Sequence, residues 1–109
     1  MDLSADHTVD QYAQAIFNMA PKRAILFSVG DESTFALWYY HFAYHQRPDL
    51  AVVSSDLLSE PWYPGVLRST YPDLIVNDHP QEQDIVQGNS TRPACQLGAN
   101  LQATISCSP

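Results

Sequence analysis

The chain has 109 residues, enough for one domain that buries roughly two-thirds of the surface its unfolded form would expose, so no disulfide or metal is obligatory for folding. Five Lys plus Arg stand against twelve Asp plus Glu, a formal charge of -7, and no basic cluster exists to track a phosphate backbone, which argues against nucleic acid as a partner. Only 16% of residues are charged, a surface short enough of charge to point to a neighbour; no run approaches the ~20 apolar residues of a membrane-spanning helix, and the amino terminus lacks the basic-then-apolar order of a signal peptide.

Val9, Tyr12, Ala13, Ile16, Phe17 and Met19 recur at helical spacing and Pro21 stops the run, which predicts a first helix over 8–20 capped by Thr8 or Asp6. Residues 24–29 are an unbroken apolar run ending at Gly30, the pattern of a strand buried on both faces of a parallel sheet. Asp31 or Ser33 then caps a helix in which Phe35, Trp38, Tyr39 and Phe42 fall at i, i+3, i+4 and i+7 and are expected to cover the sheet. Leu37, Tyr40, His41 and Tyr44 lie on or beside the opposite flank, an aromatic surface suited to a partner.

Arg47-Pro48-Asp49 ends that helix, because proline disfavours helical geometry in the residue before it. Residues 50–54 read as a second strand, parallel to the first since a helix joins them. Ser59-Glu60-Pro61 has the order of a helix start, with Trp62, Val66 and Leu67 as the apolar face and an end near Tyr71-Pro72; Pro64 and Gly65 weaken it. Leu74-Ile75-Val76 reads as a short strand or packed coil, and Asp78-His79-Pro80 as the opening of a last helix through Gln87, closed by Gly88-Asn89. Residues 94–97 form a further strand, and weak alternation at Leu101, Ala103 and Ile105 allows an edge strand. The sum is a single α/β domain over 1–109, of three layers, with a short, mainly parallel sheet flanked by helices.

Open α/β sheets bind ligands at the carboxyl ends of their strands. The ligand-binding candidates are therefore Gly30, Asp31, Glu32, Ser33 and Thr34 after the first strand, Asp56 after the second, and Trp62 and Tyr63, which can stack on a sugar ring. Free amides at the helix start can hold an anion, but Asp31 and Glu32 already place negative charge there, so sugar hydroxyls or a cation suit the loop better than a phosphate. Asp31 and Asp56 on neighbouring strands can form a carboxylate pair for acid–base work or a divalent ion; a turn-capping role for Asp56 is the plainer reading.

His41 and His45 have ligand spacing, yet the glutamate of HExxH and a third ligand are missing, and Ser28, Ser54 and Ser55 lack a nucleophile elbow. With no GxGxxG either, no cofactor and no metal are expected, and no residue is assigned as catalytic. Cys95 and Cys107 close a small loop if the compartment is oxidising and otherwise remain two buried thiols. Asn89-Ser90-Thr91 is a glycosylation sequon, relevant only in a secretory eukaryotic setting.

The order of a strand ending in Gly30-Asp31, a helix with Thr34-Phe35 and Leu37-Trp38-Tyr39, then Arg47-Pro48-Asp49-Leu50, a second strand and Trp62-Tyr63, resembles a known group. It is similar to the soluble extracytoplasmic region of multi-pass bacterial membrane proteins of the glycosyltransferase-like, protein O-mannosyltransferase-like kind. The likeness covers about half the chain, and Thr91-Arg92-Pro93 suits the group's arginine-proline strand entry. The chain departs from it at Glu32-Ser33, where the group has Asn-Asp, and at Ala36, where proline is common.

Such proteins keep sugar-transfer chemistry in their membrane-embedded part. The resemblance thus implies an accessory or ligand-binding domain on the extracytoplasmic side of a bacterial membrane, with the membrane-embedded part of the same polypeptide or a glycan as partner. In that compartment Cys95 and Cys107 are expected to be bonded. The alternative is a small free-standing enzyme using Asp31 and Asp56.

Overall fold

The computed structural model describes residues 7–108, and Asp6, one of the two candidate caps of the first helix, lies outside them. Strands β1 (Ile25–Ser28), β2 (Ala51–Ser54), β3 (Ala94–Leu97) and β4 (Ile105–Ser108) form one sheet in the order β2-β1-β3-β4. Ile25 stands opposite both Ala51 and Ala94, so β1 has parallel neighbours on its two sides; β4 returns antiparallel on β3.

Alternation along the strands divides the core in two. Leu26, Val52, Cys95 and Leu97 pack against α1 (His7–Met19) and α2 (Asp31–Trp38). Ile25, Phe27, Ala51, Val53 and Ala94 pack with α3 (Tyr63–Thr70) and α4 (Glu82–Gly88). The result is three layers, helices on both faces of a mostly parallel sheet, and it explains why β1 and β2 are buried at every position and almost wholly apolar.

Helix α2 is turned the other way from its aromatic periodicity. Ser33, Thr34, Ala36 and Leu37 are buried, while Phe35 and Phe42 are 56% and 44% exposed. Leu37 and His41, expected outside, are inside. The cause is steric: α2 lies against both α1 and the sheet, and the small Ser33 and Ala36 allow that double approach where large rings would hold the backbone away. A π-helical turn, Tyr39–Ala43, continues α2 and carries His41 inward, so the helix ends before Arg47 and not at it.

Helix α3 starts at Tyr63 with Pro64 in its first turn, and Trp62 and Val66, assigned to its apolar face, are exposed while Leu67 is buried. Residues 74–76 are packed coil. Helix α4 begins later than expected, at Glu82, where Gln81 and Asp84 form a capping box. The sequon residue Asn89 is a brace in this fold: its Oδ1 accepts from the Ile75 N–H (2.8 Å), and its Nδ2 donates to the Ile75 (2.9 Å) and Ile85 (2.8 Å) carbonyls.

Across the amino end of the sheet, Arg47 closes the structure. Its Nε and Nη2 hold the two oxygens of Asp49 at 3.0 and 2.9 Å. Its Nη1 donates to the carbonyls of Phe17 and Ala20, and Nη2 also to that of Pro21. These acceptors lie in the last turn of α1 and just past it, where a helix end leaves carbonyls in need of donors. Asp49 takes the Arg23 N–H as well, at 2.8 Å, and the Arg47 hydrogen bonds hold its carboxyl down at about 2. Arg47→Ala therefore lowers stability by about 2–4 kcal/mol, since several buried acceptors lose a charged donor together. Urea unfolding checks this, with Arg47→Lys recovering only part because lysine lacks the planar fork.

Candidate functional site

The chain leaves β1 toward α2 on one face and β2 toward α3 on the other, so two neighbouring strands have diverging exits, the place where α/β sheets receive ligands. Gly30 stands at the first exit with φ 86°, a conformation side chains rarely adopt, and this explains glycine before Asp31. Its N–H donates to Oδ2 of Asp56 at 2.8 Å. The chain's own carboxylate thus occupies the amide that an anionic ligand would need. Neither Asp31 nor Ser33 caps α2 through its side chain, and Asp56 spans the two strand exits instead of capping its own turn.

The other loop residues separate by burial. Ser33 Oγ accepts the Leu101 N–H at 2.9 Å, and Thr34 Oγ1 shares a 2.7 Å hydrogen bond with Ser28 Oγ, both inside the protein. Asp31 and Glu32 are exposed and able to meet a ligand. Trp62 is 54% exposed with its ring edge-on to Tyr63 at 5.7 Å, whereas Tyr63 is 2% exposed and its hydroxyl accepts the Ser54 N–H at 2.9 Å. Of the aromatic pair, Trp62 alone offers a face for stacking. Burial pushes the Tyr63 phenol up from its ordinary pKa.

His41 and His45 are not a pair. His45 is exposed, while His41 is buried with Nδ1 3.0 Å from the Gln46 carbonyl and Nε2 3.1 Å from the Tyr71 hydroxyl. The carbonyl can only accept, so Nδ1 carries the proton, Nε2 accepts from Tyr71, and that hydroxyl accepts in turn from the Val52 N–H at 3.1 Å. Burial lowers the His41 pKa and raises that of Tyr71. Among the described residues no three His, Cys, Asp or Glu gather to hold a metal.

Two depressions flank the strand exits. A hollow of about 640 Å³ lies between Ser55 and the start of α4, edged by Glu60, Asp78, His79 and Glu82. An apolar groove of about 400 Å³ runs between α2 and α3 above β2, with Phe35, Trp38, Phe42, Leu57, Trp62 and Val66 among its walls. Sequence reasoning assigned most of these groove residues to core faces. The usable signal was the second stripe Ser33–Ala36–Leu37, which is small enough to be the packed one.

A family model described as TMEM260-associated domain 2 matches residues 9–96. Protein O-mannosyl-transferase TMEM260 of Mus musculus is 31% identical over 62 residues, which are 57% of this chain and 9% of that protein. The chain spans less than a tenth of that relative's length. No solved structure matches.

The buried His41 makes stability depend on pH with a definite sign. Its folded pKa lies below the unfolded value of 6.5, so the unfolded chain binds the proton more readily. The His41 contribution is complete above about pH 6.5 and is lost as pH falls through the folded pKa. Denaturation midpoints measured between pH 7.5 and 5 should decline, with a shallower slope in His41→Asn.

Proposed function

The chain belongs to the TMEM260-associated domain 2 family, and on that premise we propose that it is an accessory domain of a glycosyltransferase-related membrane protein, binding a partner or glycan without turning over substrate itself. The observation that carries this reading is the Asp56–Gly30 hydrogen bond. It fills the amide position at the strand exits with a side chain of the same domain and gives Asp56 a structural partner there. Sugar contact is left to Asp31, Glu32 and Trp62, a shallow and acidic edge.

No helix among the described residues is long and apolar enough to cross a membrane, in keeping with a domain that would accompany a membrane-embedded part. Placement on the extracytoplasmic side of a membrane accords with Cys95 and Cys107, which sit opposite each other on β3 and β4, Cα atoms 4.0 Å apart, joined by a disulfide.

Calorimetric titration with mannose, a nucleotide sugar and divalent ions should give binding no tighter than millimolar, about -4 kcal/mol, weakened in Asp31→Ala, and no turnover. Micromolar binding of the nucleotide sugar, or glycosyl transfer or hydrolysis abolished by Asp31→Ala or Asp56→Ala, overturns the accessory reading. Thiol titration of unfolded, unreduced protein from an oxidising host should find no free thiol, and reduction should lower stability by about 2–3 kcal/mol. Two free thiols would count against the extracytoplasmic placement.

A further inference from the structure

Building on the accessory reading, we propose that the groove between α2 and α3 docks an amphipathic helix of a partner, apolar along one stripe and basic at the end lying over the carboxyl edge of the sheet. Phe35, Phe42, Trp62 and Val66 are 56%, 44%, 54% and 44% exposed, and all four converge on this groove. Large apolar side chains gathered in one concave, almost wholly apolar trough mark an interaction site. Such walls expose almost no polar atom to a sugar's hydroxyls, which favours a hydrocarbon face over a glycan.

Charge sets the direction of the occupant. Asp31 and Glu32 open α2 one turn before Phe35, and Asp56 precedes Leu57 and bonds Gly30, so three carboxylates stand beside the end of the groove where α2 begins. No cation answers them: Lys22, Arg23, Arg47 and Arg92 stand at the amino ends of the parallel strands, and Arg68 is held by Asp78 and the Val76 carbonyl. A helix bringing Lys or Arg to that end completes the pairing. A second copy would set the same acidic rim against this one at a net charge of -7. An added strand is blocked because Tyr71 and Tyr63 take the outward N–H groups of Val52 and Ser54 on edge strand β2.

Both tryptophans of the chain, Trp38 and Trp62, line the groove, so intrinsic fluorescence reports its occupancy. The probe is a synthetic amphipathic helix of about 18 residues with a leucine stripe and lysines at one end, compared with the same peptide carrying glutamates there. The lysine peptide should give a saturable blue shift at micromolar concentration, and both the glutamate peptide and Val66→Glu should weaken binding about tenfold or more. Val66 is exposed, so that variant keeps its fold, and circular dichroism verifies it. No saturable shift, equal affinity for the two peptides, or an unchanged affinity in Val66→Glu overturns the proposal. So does an equal shift with phosphatidylcholine vesicles, which would make the groove a lipid surface, or a shift that follows dimerisation of the domain alone. Sugar turnover by this chain would instead overturn the accessory reading, and it is read in a separate assay.

Discussion

The Arg47–Asp49 clamp is the contact on which the layers depend. Arg47 holds a left-handed backbone, φ 49°, that a non-glycine residue adopts only when its surroundings compensate. Those surroundings are the Asp49 carboxylate and the carbonyls of Phe17, Ala20 and Pro21, in the last turn of α1 and just past it. One guanidinium therefore sets where α1 ends, where the chain turns after α2, and where β2 begins beside β1. Arg92 adds a further bond to the Asp49 carbonyl, tying the entry to β3 into the same corner. Lys22, Arg23, Arg47 and Arg92 gather at the amino end, where Asp49 answers one of them, and Asp31, Glu32 and Asp56 stand at the other.

That polarity bears on function at the opposite end. A helix start opening on a glycine is a general anion site, but here Asp56 supplies the anion from within the domain and holds the two strand exits together. The same bond that stabilises the edge withdraws it from small anionic ligands. Ser33 and Thr34 are spent likewise on the β3–β4 connection and on Ser28. What remains accessible is a thin acidic rim beside an apolar groove.

Edge strand β2 shows how that groove arises. An uncovered strand edge pairs with other chains, and the usual remedies are charge, proline or a covering element. Here two tyrosine hydroxyls bond the outward amides, and their rings form part of the groove's wall. Tyr71 is fixed in turn by His41, which the π-helical turn of α2 delivers to the interior. The pH-sensitive histidine and the apolar groove are therefore parts of one construction.

Much of this was legible in the chain itself. Largely apolar runs of four to six residues bounded by Gly30 and by Arg-Pro pairs identify the parallel strands, since a strand covered on both faces does not alternate apolar with polar as a half-exposed one does, and residues 94–97 match β3 residue for residue. The proximity of Asp56 to the Gly30 loop also follows from strand order. What the sequence did not determine is which stripe of α2 faces inward. Two stripes, one aromatic and one of small or aliphatic residues, can each face inward, and the choice depends on how closely α1 and the sheet approach, which is a property of packed layers and absent from local periodicity. Tertiary structure alone likewise decided the roles of Arg47, Asn89 and Tyr71, because each bonds backbone groups distant in sequence and no local pattern encodes which carbonyl or amide will be left in need of a partner.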